Sequence, residues 1–176
     1  MVLSAVGEVA RHRPVGMMLI GDGKQRFSLE VLAGRTPHVA VMPRITDRQE
    51  LARVLASADG LVHGCEAETF CMVAAEARAS GIPLIVPDHG ATVDQLVSGA
   101  GTAFRAGSQI SLERAIRRFL DRGPELQRAA AARASQVRTM DEHFAELFAR
   151  YAEITPAPAL QPAATAALRE PVAKAI

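Results

Sequence analysis

The sequence predicts a single α/β domain built on a doubly wound parallel sheet, and three observations lead there. Short apolar runs at 15–20, 38–42, 60–63, 83–86 and 101–104 alternate with segments of helical period at 24–33, 47–57, 70–80, 92–98 and 111–121. That rhythm belongs to βαβ units, in which each helix carries the chain back to start a parallel strand. Met17-Met18-Leu19-Ile20 and Leu84-Ile85-Val86 are apolar without alternation, as strands covered on both faces should be. Finally, 176 residues are enough to bury one core and too few for two full domains.

The elements follow in order. Residues 1–11 read as a helix with Val2, Val6 and Val9 on one face. Strand 15–20 runs into Gly21-Asp22-Gly23, a glycine pair that suits either a tight turn against a nucleotide or an ordinary strand-to-helix turn. In the third helix, 70–80, Thr69 is the expected N-cap and Gly81 the stop. Gly123-Pro124 is expected to end the helix at 111–121, with further helices at 125–137 and 141–152. The last of these carries Phe144, Leu147, Phe148 and Tyr151 on one side. The ordered domain is expected over 1–153, and 154–176, rich in Pro and Ala, reads as a disordered tail.

Composition narrows the partners. A net charge of +1 with interspersed signs gives no argument for nucleic acid or a strongly anionic membrane. The run 15–20 is too short to span a bilayer or to act as a signal segment. Cys65 and Cys71 are expected as reduced thiols, so the chain reads as cytoplasmic. His63, Cys65, Cys71 and His89 offer metal-ligand chemistry but no closely spaced pair, and no metal or other cofactor is expected. A Gly-x-Ser-x-Gly elbow and a Walker-type lysine are absent from the sequence, which removes the basis for hydrolase and P-loop readings.

The chemistry concentrates in Glu68-Thr69-Phe70-Cys71-Met72-Val73-Ala74-Ala75-Glu76. A helix begins with unpaired N–H groups and the positive end of its dipole, so a cap at Thr69 would leave the amides of Phe70, Cys71 and Met72 for an anion, with phosphate the natural guest. Carboxylates repel a diphosphate, so Glu68 and Glu76 suit uncharged donors such as sugar hydroxyls. A phosphate-linked sugar meets both requirements.

Ser57-Ala58-Asp59-Gly60-Leu61-Val62-His63 leads into Glu68, and Ala77-Arg78-Ala79-Ser80-Gly81-Ile82-Pro83-Leu84-Ile85-Val86 follows Glu76. The whole resembles the nucleotide-sugar-binding domain of GT-B glycosyltransferases, specifically the large retaining family whose usual run is Glu-x-Phe-Gly-x-x-x-x-Glu-Ala-x-Ala-x-Gly-x-Pro. The resemblance covers roughly residues 15–150 and is most specific in its middle third. It implies a Rossmann-like domain, one half of a GT-B fold, with extra C-terminal helices. It further implies that Glu76 holds the ribose, that Glu68 is the catalytic position bonding donor-sugar hydroxyls, and that Thr69, Phe70, Cys71 and Met72 receive the diphosphate. Gly21 and Gly23 would approach the nucleoside, and His89 and Gly90 would face the donor sugar and phosphates. The implied donor is a UDP-, GDP- or ADP-linked mannose or glucose, used without metal.

Departures accompany the match. Cys71 stands where the family has glycine, putting a side chain at the phosphate-facing turn. The strand, and the Arg and Lys that family members carry before the first helix, have no counterpart, nor does the acceptor-binding domain. The alternative is therefore an inactive fragment or subunit that binds a nucleotide sugar or only a partner chain. Its partner would be a separate acceptor-binding chain or another copy, and an exposed apolar edge near Val2, Val6 and Phe148 would favour it. Peripheral membrane contact is expected only of a complete enzyme.

Overall fold

The computed structural model describes residues 1–154. They fall into a compact unit, Met1–Val137, and a segment that begins at Arg138. The expected disordered tail lies, beyond Ile154, outside the described residues.

In chain order the first unit holds α1 (Val2–Ala10), β1 (Met17–Ile20), α2 (Arg26–Ala33), β2 (Val39–Met42), α3 (Arg48–Ser57), β3 (Leu61–Val62), α4 (Met72–Ala79), β4 (Leu84–Pro87), β5 (Gly101–Phe104) and α5 (Gln109–Ala131). Every strand pairing among the described residues is parallel. The expected single sheet is corrected, because the described strands form two, β1-β2 and β3-β4-β5. Met17 lies opposite Val39 in the first, and Leu84 lies between Leu61 and Gly101 in the second.

Side-chain alternation along β4 explains the layers. Ile85 packs with Ala5, Val6 and Val9 of α1, Phe104 of β5, and Leu112, Ala115, Ile116, Phe119 and Leu126 of α5. Leu84 and Val86 point the other way, into Leu55, Cys71, Ala74, Ala77 and Ile82. Helices therefore cover both faces of β4, the doubly wound arrangement. Met17 and Val39 pack against the first of these clusters, so α1 and α5 serve both sheets.

Three local expectations are corrected. Gly123-Pro124 does not end α5, which continues to Ala131. A proline inside a helix costs about 3 kcal/mol, but Leu126 and Ala130 prolong the apolar face of Leu112, Ala115 and Phe119 and are themselves buried. Packing outweighs the local penalty. The expected helix 92–98 shrinks to one 3-10 turn, Val93–Gln95, because Leu96 turns extended and Gln95 is drawn inward. Val6 is only 2% exposed, so α1 is seated against α5 and offers no apolar edge at that residue.

Among the described residues, the segment from Arg138 contains α6 (Met140–Ile154). Thr139 and Glu142 form a reciprocal capping box: the Thr139 N–H donates to Glu142 Oε2 at 2.8 Å, and the Glu142 N–H donates to Thr139 Oγ1 at 3.2 Å. The aromatic side is as expected, with Phe144 and Phe148 stacked at 6.0 Å and Tyr151 edge-on to Phe148. Among the described residues no helix is long and apolar enough to cross a membrane.

Candidate functional site at the carboxyl ends of β3, β4 and β5

Parallel strands expose their carboxyl ends on one side of the sheet, and ligands of such folds gather there. The His63 N–H donates to the Ile85 carbonyl at 2.9 Å, fixing the residue that follows β3. Asp88, following β4, donates its N–H to Phe104 at 2.8 Å and accepts the Ala106 N–H at 2.9 Å, which ties this loop to the one after β5. Gly90 closes the group. Its φ is +88°, and a Cβ there would stand 2.4 Å from the Glu66 carbonyl oxygen. Only glycine lets these two loops touch, a structural demand that applies whether or not a ligand is bound.

α4 starts at Met72, two residues later than expected, and Cys71 rather than Thr69 is its N-cap. The cause is tertiary. Cys71 has φ +65° and ψ +77°, left-handed backbone that a right-handed helix cannot contain. Gln95, 5% exposed, donates from Nε2 to the carbonyl of Cys71 at 3.1 Å and to that of Phe70, clamping the turn. Thr69 is exposed and caps nothing. The Ala74 and Ala75 amides bond the Cys71 carbonyl, so within the first turn of α4 the amides without an acceptor among the described residues are those of Met72 and Val73, as are those of Phe70 and Cys71 just before it. Val73 thus joins Met72 among the unpaired amides at the helix start, while Phe70 lies before the helix with its ring exposed.

The glycine-to-cysteine departure also resolves differently from expectation. The Cys71 side chain does not stand free at the turn; the residue is 4% exposed and packed with Leu55, Ala74 and Val86. Its Sγ lies 3.7 Å from both ring nitrogens of His63. Glu68 reaches the same imidazole, with Oε1 3.8 Å from Nε2. The ligating atoms of His63, Glu68 and Cys71 all lie within 4.8 Å of one another, whereas Cys65 and His89 are exposed.

Glu76 sits in the second turn of α4, half-buried, and forms no ion pair among the described residues. Gly21 and Gly23 lie beyond β1, on the other sheet. There the Arg26 guanidinium bonds Asp22 at 2.7 Å and lowers its pKa below the ordinary value, helped by the Arg44 N–H. A Cβ on Gly23 would meet nothing within 4 Å. A cavity of about 440 Å³ between α1 and the α2–β2 turn contains none of these residues.

Sequence reasoning missed Gln95 as the clamp and His63 as the partner of Glu68 and Cys71. Gln95 gave one faint signal, a polar residue between Val93 and Leu96. Its Oε1 and the Thr92 hydroxyl are buried with no hydrogen-bond partner among the described residues.

Solved structures share this architecture. The pneumococcal O-GlcNAc transferase GtfA, in complex with UDP and GlcNAc, superposes with a TM-score of 0.71 at 16% identity over 87% of this chain and 32% of that one. Anabaena HepE, in complex with UDP-glucose, gives 0.67 at 21% over 84% and 44%. The fold is that of a GT-B glycosyltransferase domain. The chain belongs to the glycosyl transferases group 1 family, whose pattern matches residues 1–137. The GDP-mannose-dependent alpha-mannosyltransferase of Mycobacterium tuberculosis is 41% identical over 86 residues, 49% of this chain and 22% of the relative. Its Mycolicibacterium smegmatis counterpart is 36% identical over the same length. The matched stretch therefore covers about half of this chain and about a fifth of the length of these curated relatives.

Proposed function

We propose that this chain supplies the donor-binding site of a retaining hexosyltransferase that uses a nucleoside-diphosphate sugar, with GDP-mannose the first donor to test. The observation that carries this reading is the start of α4: two unpaired amides, Met72 and Val73, with Glu68 just before them and Glu76 one turn after. The amides and the helix dipole receive the diphosphate. Glu76 holds ribose hydroxyls and Glu68 bonds hydroxyls of the sugar. The base and sugar are suggested by the names of the mannosyltransferase relatives.

In the reaction, the bond between the anomeric carbon and the diphosphate oxygen breaks as negative charge develops on that oxygen. The acceptor hydroxyl oxygen bonds the anomeric carbon on the same face, and its proton passes to the departing diphosphate. No protein nucleophile and no metal enter the sequence. Donors aimed at such developing charge are worth about a hundredfold to a thousandfold in rate each. A cytoplasmic setting belongs to the same reading.

Calorimetric titration with GDP, UDP and ADP and their mannose and glucose conjugates tests it. The expected result is saturable binding of one nucleotide, weakened about tenfold to a hundredfold in Glu76→Ala by loss of hydrogen bonds to a charged group. A folded protein that binds none of the panel would overturn the donor-site reading and favour the partner-binding alternative.

A further inference from the structure

We infer that His63, Glu68 and Cys71 form a binding site for a thiophilic divalent cation, Zn²⁺ above all, and that the ion competes with the sugar donor for Glu68. The cation is an inhibitor of the site, not a cofactor. Read along the chain, the ligands lack a close pair and are spread over nine positions, whereas the turn at Cys71 folds them onto one point.

The geometry is close to what zinc requires. Bonds of about 2.3 Å to sulfur, 2.0–2.1 Å to nitrogen and 2.0–2.2 Å to oxygen, at tetrahedral angles, put ligand atoms about 3.4–3.6 Å apart. Sulfur to imidazole is 3.7 Å and imidazole to carboxylate is 3.8 Å. The remaining pair, sulfur to carboxylate, lies within 4.8 Å and closes by a swing of Glu68, the most exposed of the three at 34%. The other two ligands are held: His63 by its backbone bond to Ile85, Cys71 by Gln95 on its carbonyl. The backbone of His63 is fixed but its ring is not, and because Sγ is equidistant from both nitrogens the imidazole must turn to aim one lone pair at an ion shared with the sulfur.

Donor chemistry sets the class of ion. Magnesium and calcium take oxygen ligands, whereas a thiolate–imidazole–carboxylate set favours zinc or a softer ion. A thiolate and a carboxylate with a neutral imidazole balance a charge of +2. The Cys71 S–H bond breaks as the S–Zn bond forms and its proton goes to solvent. Three protein ligands leave a fourth position for water on the Glu68 side. Competition with donor rests on the function proposed above, because that is where Glu68 is given to sugar hydroxyls; metal binding itself does not.

The test uses the untagged full chain, stripped of metal. Zn²⁺ is titrated calorimetrically, and Co²⁺ serves as a spectroscopic probe through its thiolate charge-transfer absorbance. One ion per chain is expected. Cys71→Gly, which suits the positive φ and so preserves the turn, should remove the cobalt band and weaken Zn²⁺ at least a hundredfold. His63→Gln should do likewise, and Cys65→Ser should change neither. No saturable uptake by the wild type, unchanged Zn²⁺ affinity in Cys71→Gly, or loss of the band in Cys65→Ser overturns the site. With donor present, Zn²⁺ but not Mg²⁺ should raise the apparent donor Kd in the wild type and leave it unchanged in Cys71→Gly; an unmoved wild-type Kd overturns the competition. Zinc uptake without nucleotide binding removes the proposed function and keeps the metal site, and nucleotide binding without zinc uptake does the reverse.

Discussion

β1 and β4 have similar sequences and different surroundings. Met17-Met18-Leu19-Ile20 and Leu84-Ile85-Val86-Pro87 are both unbroken apolar runs. β4 has a strand on each side and all four residues buried. β1 has a single strand partner, and Met18 is 54% exposed. An apolar run therefore states what a strand tolerates, while its neighbours settle how much of it leaves water. The site follows the same division: the loops tied to one another by Asp88, Gly90 and Gln95 all leave the three-stranded sheet, and the Gly21–Gly23 turn leaves the two-stranded one.

Substitutions at glycine should show the contrast most strongly. A Cβ at Gly101 would lie 2.3 Å from the Leu84 carbonyl oxygen, between paired strands. Gly101→Ala is expected to cost about 4 kcal/mol in urea unfolding, and Gly23→Ala, which meets nothing, to stay within about 0.5 kcal/mol. Similar values for both would break the comparison. Next comes the strand interior itself. Ile85→Ala should cost about 3 kcal/mol and Met18→Ala less than about 0.5 kcal/mol, since only the first leaves a cavity in a closed cluster. A costly Met18→Ala would mean that β1 is covered in solution.

The clamp at α4 should have an intermediate effect. Gln95→Leu leaves the Phe70 carbonyl without its donor, removes one of the three donors to the Cys71 carbonyl, and should cost about 2 kcal/mol. Hydrogen exchange at the Ala74 and Ala75 amides, which bond the Cys71 carbonyl, should quicken in this variant; unaltered exchange would show that the left-handed turn holds itself. The smallest effect is electrostatic and belongs to the two-stranded half. Asp22 is exposed, and its hydrogen bond from Arg26 lowers its pKa below the ordinary 3.8. Its contribution is therefore complete above about pH 4 and is lost as pH falls through the depressed value. Thermal melts taken from pH 5 downward should show a small decline that Arg26→Gln flattens.

Much of this was legible in the residues. The parallel α/β alternation, the strand at 101–104, the helix over 47–57 and the apolar stripe of α1 rest on local period, which acts over a few residues. Glu68 and Glu76 stood out through their spacing and the run around them. The start of α4 was misplaced because Thr69 is a good cap by propensity, while the actual boundary depends on Gln95, 24 residues beyond Cys71. Pro124 misled for the same reason, since the burial of Leu126 and Ala130 outweighs a local rule.

The sequence by itself determined the class of fold, the parallel sense of its strands and the stretch in which its chemistry lies, because hydrophobic period and motif are written in neighbouring residues. Only the tertiary structure decided that the strands form two sheets, that β4 and not β1 is enclosed, and that His63, Glu68 and Cys71 meet. Those outcomes depend on contacts between residues distant in the chain, whose free energies no short window of sequence contains.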